Sequence, residues 1–144
     1  MCGRGQAAAA TSTVAGTVAK QGYIALGNND NVFFPSIAVN AAGSGVMTFS
    51  LAGQHSFPSA GYATIDAVNG AGPIHIAANG AGPTDDISGY AAYGGDGVAR
   101  WGDYSAAVPA EDGSIWIATE YIPGGFGFPA YLNNWGTWVG HVTP

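Results

Sequence analysis

The five residues Arg100-Trp101-Gly102-Asp103-Tyr104 place a guanidinium, two aromatic rings and a carboxylate at the start of one expected strand. Glu120 lies on the next strand of the same expected hairpin. A guanidinium fork matches carboxylates, aromatic faces cover apolar ring surface, and a carboxylate accepts hydroxyl and amide protons. Arg100, Trp101, Asp103, Tyr104 and Glu120 are therefore the candidate ligand-binding set, suited to a sugar or a peptide. A competing reading makes Asp103 a turn carboxylate that accepts backbone N–H bonds. Hydrolysis of a glycoside needs two facing carboxylates, for which Asp103, Glu120, Asp85 and Asp86 are the candidates. No residue is assigned a catalytic role.

Metal chemistry is thinly represented. The loop from Asp85-Asp86 to Asp96-Gly97 is acidic and glycine-rich, and Asp85, Asp86 and Asp96 offer oxygen ligands of the kind calcium takes. Their spacing matches no known calcium loop, and no cofactor is expected. His55, His75 and His141 stand alone, without the spacing of a zinc site. Cys2, the single cysteine, cannot form an internal disulfide. Ser44 lies in Gly43-Ser44-Gly45 within a hairpin loop, not on the strand-to-helix turn of a nucleophile elbow.

The elements that must position these residues follow from composition. Only 8% of residues are charged, and the formal net charge is −6. Phosphate backbones and anionic membranes are bound by clustered Lys and Arg; three basic residues against nine acidic ones exclude nucleic acid and an anionic bilayer as partners. No apolar run is long enough for a membrane span. Met1 to Gly16 lacks a basic region followed by a Leu-rich stretch, so no export signal is read there. With 24 glycines and 8 prolines between short apolar runs, the chain reads as many turns joining short strands. The alanine run Ala7–Ala10 is too short to hold a helix unaided.

Expected strands are Gly22–Leu26, Ser36–Asn40, Val46–Ser50, Ser59–Ala67, Pro73–Ala78, Tyr104–Val108, Ser114–Tyr121 and Thr137–Val142. The loops Gly80–Asp96 and Pro123–Pro129 separate the later ones. Phe34-Pro35-Ser36-Ile37-Ala38-Val39 followed by Gly45-Val46-Met47 matches Asp103-Tyr104-Ser105-Ala106-Ala107-Val108 followed by Gly113-Ser114-Ile115, with Ser36 and Ser105 as the paired serines. Phe57-Pro58-Ser59 is a weaker echo. Self-similar units of about four strands are the mark of propeller blades. The fold class is thus all-β, with antiparallel four-stranded blade repeats making a partial β-propeller of about two blades. Residues 1–20 are expected to be a flexible N-terminal segment. Residues 21–144 carry the repeats, about 21–80 and 96–144, linked by 81–95. Two blades cannot close a ring, since propellers use about four to eight. The missing blades of a longer parent chain, or copies of this one, are the expected partners. Trp101, Trp116, Trp135 and Trp138 are read as inter-blade packing ahead of a ligand platform.

The stretches Gln21–Ala25, Phe34–Val39, Gly45–Phe49, Tyr62–Asp66, Arg100–Ala107, Ser114–Tyr121 and Asn134–Thr137 resemble secreted bacterial proteins with sialidase-like, Asp-box-type propeller repeats. The resemblance implies a multi-blade propeller, exported to the extracellular space, and no particular activity. The Asp-box pattern Ser-x-Asp-x-Gly-x-x-Trp is degenerate in Ala110-Glu111-Asp112-Gly113-Ser114-Ile115-Trp116: the hydroxyl is replaced by Ala110, and Asp112 abuts Gly113. Sialidases hold their substrate carboxylate with an arginine cluster, and here only Arg100 lies in the β region. They also use a tyrosine activated by a glutamate. Glu120 and Tyr121 are adjacent on a strand and so point to opposite faces. The expectation is a non-catalytic segment that binds a carbohydrate or a protein, or acts as a scaffold. The alternatives are a fragment of a sialidase-like glycoside hydrolase and a self-assembling structural subunit.

Overall fold

Turn chemistry divides the chain into strands. Asn40 accepts hydrogen bonds at its side-chain oxygen from Ala42 N (3.0 Å) and Ser44 N (3.1 Å), and Gly43 takes the positive φ that closes the turn. Asp66 does the same for Val68 N and Asn69 N, ahead of Gly70 at φ 84°. Asp112 accepts from Ser114 N (3.0 Å) beside Gly113 at φ 85°. A short polar side chain that bonds the backbone two residues on, followed by a residue free to adopt positive φ, favours a tight reversal over continued strand.

The computed structural model describes residues 15–18, 20–124 and 134–144. Cys2, Arg4, the Ala7–Ala10 run and most of the 123–129 loop lie outside these residues. Four strands, β1 (Asp30–Val39), β2 (Ser44–Gly53), β3 (Ser59–Asp66) and β4 (Gly70–Ala78), form one antiparallel meander. A second meander holds β5 (Ala106–Pro109), β6 (Ile115–Tyr121) and β7 (Gly136–Val142). The expected strand at Gly22–Leu26 does not form a ladder. Instead Ile24 and Leu26 pack their side chains on the first sheet. The long loop contains two short 3₁₀ turns, Ile87–Gly89 and Ala91–Tyr93, the first capped by Asp86.

The sheets stack face to face, β1 over β5 and β2 over β6. Period-two alternation along β2 splits its side chains. Val46, with Ala38, meets Ile115 and Ile117 of the second sheet, flanked by Tyr62, Ala107, Trp138 and Val142. Phe49, Leu51 and Ala63 point the other way, where Ile24, Leu26, Val32, Met47 and Ile74 cover them. β2 is thus buried on both faces and is the centre of the molecule. Polar ties register the stack: Ser50 Oγ donates to the Glu120 carbonyl (3.0 Å) and lies 3.1 Å from Thr119 Oγ1. Asn40 Nδ2 donates to the Gly113 carbonyl (2.7 Å) at the other end.

The internal repeat has a different register from the one that the serines suggest. The hairpin closures Asn40 N→Ser44 O and Ala110 N→Ser114 O, both 2.8 Å, are equivalent. So are the pairs Ala38↔Val46 and Val108↔Trp116. Equivalent residues are 70 apart, and Ser36 matches Ala106 rather than Ser105. β1 also carries a bulge on the N-terminal side of Ser36, where Phe34 and Pro35 stand against Phe49 alone and Phe34 takes a positive φ of 51°. A one-residue slip inverts every side chain on a strand. In the true register, equivalent residues of the two sheets point in the same direction.

Candidate functional site

The expected ligand-binding set divides between two surfaces. Tyr104 and Glu120 line one shallow depression of about 160 Å³ together with Ser105, Ala106, Ala118, Thr119 and Thr137. The β5–β6 register Ala106↔Ala118 places the depression on the face of the second sheet that points away from the first. Tyr104 is 86% exposed at its rim. Glu120 is anchored, since its Oε2 accepts from Gly102 N at 3.0 Å. A side chain on Gly102 would occupy the place of that carboxylate, so glycine here is what lets Glu120 reach the backbone. Tyr121 points to the opposite face from Glu120, as strand alternation requires.

Trp101 is drawn elsewhere. Its ring meets Phe33 edge-on, centroids 6.3 Å apart, and its buried indole N–H has no acceptor among the described residues. Arg100 is fixed through its backbone, whose N–H donates to Ser88 Oγ (2.8 Å), while its side chain is exposed. Asp103 is exposed.

Sequence reading missed the rest of the outward face. Trp116 and His141 are cross-strand partners whose rings lie 4.8 Å apart. Trp116 is 51% exposed, and the neighbouring Val108 and Val139 are 58% and 60% exposed. Thr137 pairs with Glu120. The alternation of Ile115, Ile117 and Thr119 as the buried positions of β6 was the available signal that Trp116 faces outward. His141 and Thr137 needed the β6–β7 register. The four tryptophans therefore split: Trp138 packs on the shared core and Trp101 on Phe33, while Trp116 and Trp135 remain well exposed.

Most of the remaining carboxylates lock turns or loops. Asp30, buried at the start of β1, accepts from His55 N (2.9 Å), Ser56 Oγ (2.7 Å) and Asn28 Nδ2 (3.2 Å). These bonds, that from the His55 backbone first, hold its pKa below the usual carboxylate range. Bonds from Asn69 lower Asp66, and bonds from Ser114 lower Asp112. The loop candidates each accept a local hydrogen bond: Asp85 from the Tyr90 hydroxyl, Asp86 from Ser88 N (2.6 Å) and Asp96 from Val98 N (3.1 Å). The Asp85 carboxylate in turn raises the Tyr90 phenol pKa, since the neutral phenol is the donor. Among the described residues no three of His, Cys, Asp and Glu converge as a metal site would require.

Asp112, Ser114 and His141 share one cluster, with Ser114 Oγ touching both the Asp112 carboxylate and His141 Nε2. The residue types are those of a hydrolytic triad, but the order of contact is not. In a triad the histidine bridges serine and carboxylate; here the serine bridges, and it is buried. The cluster fixes the β6 start to β7.

A larger groove, about 450 Å³, runs on the far side of the first sheet between Lys20–Ile24 and the β3–β4 turn. It is lined by Tyr23, Met47, Ile65 and Asn69 among others, and Lys20 Nζ closes one end on the Val68 carbonyl.

No protein-family model, curated protein or solved structure matches the chain. Among the described residues no helix is long and apolar enough to cross a membrane.

Proposed function

We propose that the chain is a non-catalytic binding segment of an exported, propeller-type β protein, and that the outward face of β5–β6–β7 takes a carbohydrate. The observation that carries this reading is the pairing of exposed aromatic rings with anchored polar groups on one sheet face. Tyr104, Glu120 and Thr137 lie at one end and Trp116 with His141 at the other. Trp116 and Glu120 are four residues apart on a strand, about 13 Å at the usual rise, which suits more than one sugar ring. Aromatic faces stack on the apolar faces of sugars, and carboxylate and hydroxyl groups bond their rims.

Seven of the nine carboxylates already accept hydrogen bonds within the protein, which supports binding over acid–base catalysis. The propeller-type reading is supported by the 70-residue equivalence. Val46, Thr48 and Ser50, which face the second sheet, correspond to Trp116, Ala118 and Glu120, which face outward from it. A rotation about one axis relates blades in this way.

Titration with neutral and acidic oligosaccharides, followed by tryptophan fluorescence, tests the binding role. A saturable shift is expected, with affinity reduced about tenfold or more in Trp116→Ala. Absence of binding to any glycan, or binding unchanged in that variant, would overturn the assignment.

A further inference from the structure

Sheet edges expose unpaired N–H and C=O groups and pair with other chains unless something blunts them. Among the described strands, β1, β4, β5 and β7 each have one side without a strand partner. Three of these are blunted. β1 carries Pro35 and the Phe33/Ser36 bulge. β4 carries Pro73, and its ladder with β3 shifts register twice. β5 is only four residues long and ends in Pro109. β7 has none of these features. It pairs with β6 without interruption over all seven residues, Gly136–Val142, and contains no proline, lysine or formal charge. Its counterpart in the first sheet, β3, carries β4 on the equivalent side, so the sheet geometry accepts a fourth strand there.

We infer that the edge of β7 that has no strand partner among the described residues is a strand-addition site, and that its occupant is the β7 of a second copy, paired antiparallel about a two-fold axis. Antiparallel pairing is the arrangement that a two-fold axis generates from one strand type. Self-pairing at this edge sets no like charges against each other, although each chain carries a net −6. It would join two three-stranded sheets into one of six strands and make the exposed Val139, beside Trp116, part of a continuous apolar surface. The inference does not rest on carbohydrate binding.

Light scattering after size exclusion, from micromolar to millimolar protein, tests it. The mass is expected to rise from 14.4 kDa toward twice that value. Alternate β7 amides are expected to exchange more slowly as concentration rises. Val139→Lys, at an exposed position, should weaken association about tenfold or more by opposing like charges on the edge. Val108→Lys lies on the same face but on the far strand, and should leave association unchanged. A mass of 14.4 kDa throughout the range, no change in β7 exchange, or association lost through Val108→Lys and not Val139→Lys would overturn edge pairing.

Discussion

Asp30 joins the start of β1 to the β2–β3 turn through its bonds to His55 N and Ser56 Oγ. Because its folded pKa is held below the ordinary value, its stabilising contribution is fully present above the unfolded-chain value of about 3.9. That contribution is lost as pH falls through the lower folded value. Asp66 and Asp112 act in the same direction. Thermal melts of Asp30→Asn are expected to show a lower Tm than the parent at pH 7 and a smaller difference in strong acid. An equal difference at both pH values would show that the carboxylate charge has no part in it. Gly102 is a second sensitive residue, because its N–H and its missing side chain both serve Glu120. Gly102→Ala should displace the carboxylate and cost about 1–2 kcal/mol in urea denaturation. It should also weaken any ligand held at the Tyr104–Glu120 depression.

The strands are held in register by side chains packed across the stack, and β7 shows how tightly. The Trp138 ring lies directly over the Cα of Gly140, two residues along the same face, and reaches the Ile115–Ile117 core from there. A methyl group at residue 140 would enter the space of the ring. Gly140→Ala is therefore expected to destabilise by about 1–3 kcal/mol, the usual range for overpacking a core. Near-ultraviolet circular dichroism should report the altered Trp138 environment. A variant with unchanged stability and spectrum would place the ring elsewhere. β1 has its own irregularity in the Phe33–Ser36 bulge, and Phe33 at its edge meets Trp101 of the loop that precedes β5. That contact removes Trp101 from the surface where Tyr104 stands.

The two sheets share one core, so they are expected to unfold together. Ile117 is fully buried between them beside Val46 and Ala38. Ile117→Ala should cost about 2–5 kcal/mol, the range for emptying such a site. Loss of tryptophan fluorescence, which reports mainly on the second sheet, should coincide with loss of far-ultraviolet signal from both. Separate transitions would mean that the four-stranded sheet folds on its own. The backbone bonds Ile122 N→Pro58 O (3.0 Å) and Ala81 N→Ile122 O (2.9 Å) reinforce this coupling by threading the end of β6 between two loops of the first sheet.

Most strands and their turns were legible in the amino-acid order because their causes are local, although Gly22–Leu26 pairs with no strand and β1 begins earlier, at Asp30. Asn40, Asp66 and Asp112 bond backbone within a few residues, and the apolar alternation of β2 and β6 spans a single strand. The all-β class follows from these signals alone. The Tyr104–Glu120 pair was also within reach, because both lie on one hairpin. The repeat register was not. Matching Ser36 to Ser105 aligns like residues, whereas the strand pairing makes Ser36 equivalent to Ala106, and a one-residue error on a strand exchanges its two faces. The strand alternation of β6 could have turned Trp116 outward, but nothing local places Trp101, which is half-buried against Phe33 of the first sheet, or sets His141 beside Trp116. Those environments depend on contacts between residues far apart in the chain, which come into being only when the sheets stack.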